Sequence, residues 1–157
     1  MEQRVNVFVK GKGAMKAMFG LGMYLETSSL EQPLLNLIYY RVSQINGCAF
    51  CLDMHSKDLM AEGETAQRLL VMDAWRETPF YTEREQAALA WAEALTELNG
   101  PVPDDVYQGA ATHFSEEELV DLTLAVIAIN GYNRVNLAFP PLVGTYKVGM
   151  FSQSANA

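Results

Sequence analysis

The chain has 157 residues, half of them hydrophobic and 19% charged, with a formal net charge of −8. That length suits one domain, and that apolar content excludes disorder over most of the chain. Nineteen acidic residues stand against eleven basic ones with no basic block, which argues against nucleic acid or an anionic membrane surface as a partner.

Residues 5–9 are the one stretch that reads as a strand, and one strand makes no sheet. Lys10, Lys12 and Lys16 precede an apolar run over 17–25, a pattern that mimics a signal peptide. The lysines follow an apolar stretch, however, and Glu26-Thr27-Ser28 is a poor cleavage site. Pro33 opens a helix whose stripe is Leu34, Leu35, Ile38, Val42 and Ile45, and Asn46-Gly47 ends it. A second helix starts at Cys48, runs to about residue 61 and stops at Gly63. A third covers about 64–75. Thr82 and Glu85 form a capping box for a fourth, which Asn99-Gly100-Pro101 terminates.

A short helix over about 104–112 precedes a second capping box, Ser115 with Glu118. That box opens a long helix through Leu119, Leu122, Val126 and Ile129. Its apolar run contains Asn130, Asn133, Arg134 and Asn136, groups expensive at the centre of a membrane span. It reads as a buried helix with a polar side. The expected fold is all-α, a single domain over 1–157 with six or seven helices around one core. Eight methionines and the high apolar content point to self-association through exposed apolar surface. Trp75 and Trp91 read as core residues.

Chemistry concentrates in Cys48, Cys51 and His55. On a helix these occupy i, i+3 and i+7, so the three side chains share one stripe. Cys48 falls at the helix N-terminus, where unpaired N–H groups and the dipole stabilise a thiolate. A second thiol one turn away can resolve what the first forms, and an imidazole can move the proton. A structural zinc site would need four ligands and would consume His113 as well, every Cys and His in the chain. Covalent haem attachment needs a histidine directly after the second cysteine, and Leu52 stands there. A thioredoxin-like motif needs a βαβ pattern, which is missing. Two cysteines packed simply as small hydrophobes would leave the alignment with His55 unexplained. The pair reads as redox-active, ahead of a zinc site. The cytoplasm, where thiols stay reduced, is its expected location.

The segment from Arg41 to Cys51, with Asp53-Met54-His55, resembles the alkyl hydroperoxidase D-like branch of the carboxymuconolactone decarboxylase family. The resemblance continues through Ala61-Glu62-Gly63-Glu64-Thr65, Trp75 to Phe80, Ala90 to Leu95, and Ile129-Asn130-Gly131-Tyr132-Asn133-Arg134. It covers most of residues 31–140. It implies an all-helical fold that assembles into dimers, trimers or hexamers. It also implies a thiol-dependent peroxidase that takes a hydroperoxide and an external dithiol or disulfide reductant and needs no metal or cofactor. Carried over, Cys51 is the peroxidatic thiol, Cys48 the resolving one and His55 part of a proton relay. The helix dipole by itself favours Cys48 as the more acidic thiol.

Family members commonly carry a relay glutamate twelve residues before the first cysteine, and here that position is Asn36. An amide takes up no proton near neutral pH. Tyr40 lies at i+4 on the same face and is a further relay candidate, though its ordinary pKa of about 10 makes it a weak base. Two alternatives follow. One is a helical oligomer that senses redox state or binds a small ligand without turnover. The other is decarboxylase or lactone chemistry, which needs no cysteine pair.

Overall fold

The structure is a computed structural model and describes residues 4–151. Those residues form eight α-helices and one 3₁₀ segment, with no strand among them. The helices are α1 (Val7–Lys10), α2 (Lys12–Glu26), α3 (Gln32–Asn46), α4 (Ala49–Ala61), α5 (Ala66–Leu70), α6 (Glu83–Glu97), α7 (Asp104–His113) and α8 (Glu116–Ala138). The 3₁₀ segment, Met72–Glu77, lies between α5 and α6.

The first apolar stretch is helical rather than extended. The Asn6 side chain accepts the N–H groups of Phe8 and Val9 at 3.1 and 3.2 Å, which caps α1 despite its β-branched valines. The expected helix over 64–75 is broken. It leaves α-helical geometry at Val71, and the 3₁₀ turn directs Met72 and Trp75 into the core. Both capping boxes form as read, Thr82 with Glu85 and Ser115 with Glu118.

Helix α3 is the central element. It packs against α4, α6 and α8, and Leu35, Leu37, Ile38 and Val42 along it are essentially inaccessible. Burying such a side chain contributes about 1.5–3 kcal/mol relative to leaving it in water. One buried carboxylate ties α3 to the rest. Glu93 on α6 accepts from Arg41 Nε at 2.8 Å, Trp75 Nε1 at 2.9 Å and Arg76 Nη1 at 2.6 Å. Burial alone would raise the Glu93 pKa. The hydrogen bonds from Trp75, Arg76 and Arg41 outweigh it and hold the carboxyl below its usual range. Arg41 also reaches Asp73 at 2.6 Å, so one guanidinium joins α3, α6 and the 3₁₀ segment.

After α8 the chain runs along α4. Gly144 N–H donates to Asp53 at 3.1 Å, Lys57 donates to the Tyr146 carbonyl at 3.2 Å, and the Tyr146 hydroxyl donates to Asp58 at 2.8 Å. Helix α4 is therefore held between α3, α8 and this segment. No helix among the described residues is long and apolar enough to cross a membrane.

Candidate active site

The site begins at the joint between α3 and α4. Gly47 adopts φ 66°, ψ 31°, a left-handed conformation that favours glycine. Its N–H bonds the Gln44 carbonyl at 3.2 Å, and the Cys48 N–H bonds the Ser43 carbonyl at 3.1 Å. This is the Schellman closure of a helix C-terminus. Cys48 is at once the residue that completes it and the N-cap of α4. The sequence places the start of the second helix at Cys48; the first helical residue is Ala49.

Cys48 and Cys51 are both free thiols and both buried, 1% and 0% exposed. Their sulfurs lie 2.7 Å apart in a hydrogen bond. That bond favours one negative charge on the pair. The Cys51 thiol lowers the Cys48 pKa to about 7 against the opposing effect of burial, with the first-turn N–H of Cys51 adding to the effect. The same hydrogen bond, together with burial, pushes Cys51 far up. The charge therefore sits on Cys48, as the helix dipole alone suggests.

Helix α8 faces the pair with amides. Asn136 Nδ2 donates to Cys51 Sγ at 3.3 Å. Asn133, fully buried, donates to Ser43 Oγ at 3.0 Å and accepts from Asn46 Nδ2 at 2.9 Å. Asn46 Nδ2 also donates to Asn130 Oδ1 at 3.0 Å, and Asn130 reaches Thr96 at 3.1 Å. The polar side read on this helix is thus a connected network locking α8 to the α3–α4 joint. The sequence does not signal the Asn136–Cys51 contact, because 85 residues separate the two.

His55 lies one turn beyond Cys51, buried, with the Tyr39 ring 5.3 Å away. Among the described residues, neither imidazole nitrogen has a hydrogen-bond partner. Burial lowers its pKa from 6.5 to about 3, so the ring is neutral across the physiological range. Asn36 sits two turns further from the cysteines along α3 than Ser43. It is buried, and its Nδ2 donates to both Glu62 oxygens, at 2.9 and 3.0 Å. Glu62 closes α4 and falls seven residues after His55, on the stripe of Cys48, Cys51 and His55. A carboxylate therefore does stand at the Asn36 position, supplied by the neighbouring helix. The i+7 spacing from His55 is the one signal in the sequence that points to Glu62. Tyr40 is half-buried against the core, with its pKa raised by burial and its hydroxyl paired to Gln44. His113 ends α7. Among the described residues, no three His, Cys, Asp or Glu side chains are grouped to hold a metal ion.

Comparisons with known proteins agree with this architecture. The pattern of the carboxymuconolactone decarboxylase family matches residues 12–94. The chain is 42% identical to YdfG, an uncharacterized protein of Bacillus subtilis (strain 168), over 139 residues, 88% of this chain and 95% of that one. A crystal structure from Agrobacterium tumefaciens superposes with a TM-score of 0.87 at 40% identity, covering 92% of this chain and all of that one. That protein is of unknown function and has been provisionally assigned as an AhpD antioxidant defence protein. The debrominase Bmp8 shares the fold alone, at 21% identity and a TM-score of 0.77 over 88% of this chain and 75% of its own. The chain belongs to the carboxymuconolactone decarboxylase family, in its alkyl hydroperoxidase D-like branch.

Two predictions follow from the geometry. The unfolded chain protonates His55 near pH 6.5, while the native ring stays neutral to about 3. The stability His55 permits is full above 6.5 and is lost as pH falls toward 3. Between pH 7 and pH 5 the loss from this residue is about 2 kcal/mol, and His55→Leu should remove it. Urea unfolding of both chains at the two pH values measures this; an equal pH response in both contradicts it. The second prediction concerns Asn36→Glu, which sets two carboxylates face to face. It should cost on the order of 1 kcal/mol, and adding Glu62→Gln should restore the loss. If Asn36→Glu unfolds at the parent urea midpoint, the Asn36–Glu62 bond does not form in solution.

Proposed function

We propose that this protein is a thiol-dependent hydroperoxide reductase that works through the Cys48–Cys51 pair. The observation that carries the reading is the 2.7 Å approach of two thiols at a helix start, with one negative charge favoured between them. In the proposed cycle the Cys51 proton crosses to Cys48. The Cys51 thiolate then attacks the terminal oxygen of the hydroperoxide. An S–O bond forms as the O–O bond breaks, and the departing alkoxide takes a solvent proton passed by His55. Cys51 becomes a sulfenic acid and the organic product an alcohol. The Cys48 thiol condenses with the sulfenic acid, releasing water and leaving a disulfide. An external dithiol returns two electrons and two protons.

The order of attack draws on family resemblance and on thiol chemistry. The less acidic sulfur, Cys51, gives the more nucleophilic thiolate, and the more acidic one, Cys48, leaves more readily when the disulfide is reduced. Closing the disulfide, at about 2.05 Å, asks for well under one ångström of further approach. Both sulfurs are covered, so the peroxide enters through local opening around the first turn of α4.

That burial also favours a second reading, a sensor that is oxidised once and does not turn over. Serine variants test the first reading. Cys51→Ser should lose peroxide-driven thiol oxidation. Cys48→Ser should react once and stop at a sulfenic acid that a carbon nucleophile traps. Oxidation of Cys51→Ser at the wild-type rate overturns the proposed order. Continuous peroxide consumption with a synthetic dithiol separates the readings: one equivalent followed by arrest is the sensor.

A further inference from the structure

We infer that Asn136 is a catalytic residue of the pair, an amide N–H donor from α8 that carries part of the negative charge of the two sulfurs. This rests on the redox-pair reading above. Asn136 Nδ2 lies 3.3 Å from Cys51 Sγ, a reacting atom. A neutral thiol is a weak acceptor, whereas a thiolate is a charged one and binds a donor far more strongly. The amide therefore contributes little to the protonated pair and much to the ionised one. Asn133 stands three residues earlier on α8, oriented by Ser43 and Asn46, and fixes the face from which Asn136 reaches the sulfur.

The surroundings leave few competing sources of stabilisation. From α3 the site is faced by Ser43 and Asn46, from α8 by Asn133 and Asn136, and from α4 by the cysteines themselves. The groups acting most strongly on the two sulfurs are each other and these two amides, with no carboxylate or ammonium among them. Where no cation neutralises the thiolate, an oriented amide is the main support that a second helix supplies. The amide favours ionisation on either sulfur, because the 2.7 Å contact shares the charge between them. During attack by Cys51 it touches the nucleophile directly.

The test is a titration of the reduced full-length protein by thiolate ultraviolet absorbance. Asn136→Leu keeps the side chain's size and removes the donor. Its ionisation constant should fall about tenfold, moving the titration up by about one pH unit, the shift expected from losing one charge-assisted hydrogen bond. Asn136→Asp replaces the donor with a carboxylate and should shift the titration upward further still. An unchanged titration in Asn136→Leu, or one moved to lower pH, overturns the inference; a downward shift would mean the amide oxygen faces the thiol proton. Asn136 is half-buried near the end of α8. If the leucine variant fails to fold, the aspartate variant decides alone, and wild-type titration there overturns the inference equally. The titration reads the amide whether or not peroxide is consumed. Shifted variants in a protein inert to peroxide would leave the amide assignment standing and remove the peroxidase reading.

Discussion

The site depends on Cys48 serving two helices at once. Its N–H completes the C-terminal closure of α3, and its backbone, as the N-cap, starts α4, with its carbonyl accepting from Leu52 N–H at 2.9 Å. The arrangement requires Gly47 at φ 66°, a conformation costing an ordinary L-residue about 1–2 kcal/mol. A side chain at Gly47 would meet nothing within 4 Å, so backbone conformation alone demands the glycine. The one-residue joint folds α4 back along α3. That reversal sets Tyr39 against His55 and Asn36 against Glu62, and it leaves the first turn of α4 open to α8. The placement of the cysteine pair, of His55 and Glu62, and of the amide network all follow from it.

The two thiols and the imidazole of the site are buried. Burial opposes ionisation of both thiols, and it holds His55 neutral. What offsets burial is short-range and directional: a thiol on its neighbour, backbone N–H groups at a helix start, and amides from α8. Among the described residues, the His55 imidazole has no hydrogen-bond partner on either nitrogen. Glu62, held by Asn36, places a carboxylate at the far end of the same stripe, where the branch commonly carries its glutamate on the other helix. The carboxylate and the amide that holds it thus come from two different helices.

Much of this was legible in the sequence. The two capping boxes marked α6 and α8 because their signals lie within four residues. The stripe from Leu34 to Ile45 marked α3, and the i, i+3, i+7 spacing put Cys48, Cys51 and His55 on one face. Signals that depend on approach in space were not legible. Asn6 capping turned a valine-rich stretch into α1. The pull of Arg41 on Asp73 and of Glu93 on Trp75 accompanies the break at Val71. Glu62 meets Asn36 across 26 residues, and Asn136 meets Cys51 across 85. Local periodicity reports which face a residue occupies; it does not report what the opposite helix brings to that face.

The central claim is that Cys48 and Cys51 form a reversible redox pair under hydroperoxide. The most direct measurement is mass spectrometry of the intact reduced chain after one equivalent of hydroperoxide, followed by peptide mapping. The account predicts loss of two hydrogens, a bridge joining Cys48 to Cys51 within one peptide, and full reversal by a dithiol. An unchanged mass, or oxygen addition to the thiols with no bridge between them, would contradict it.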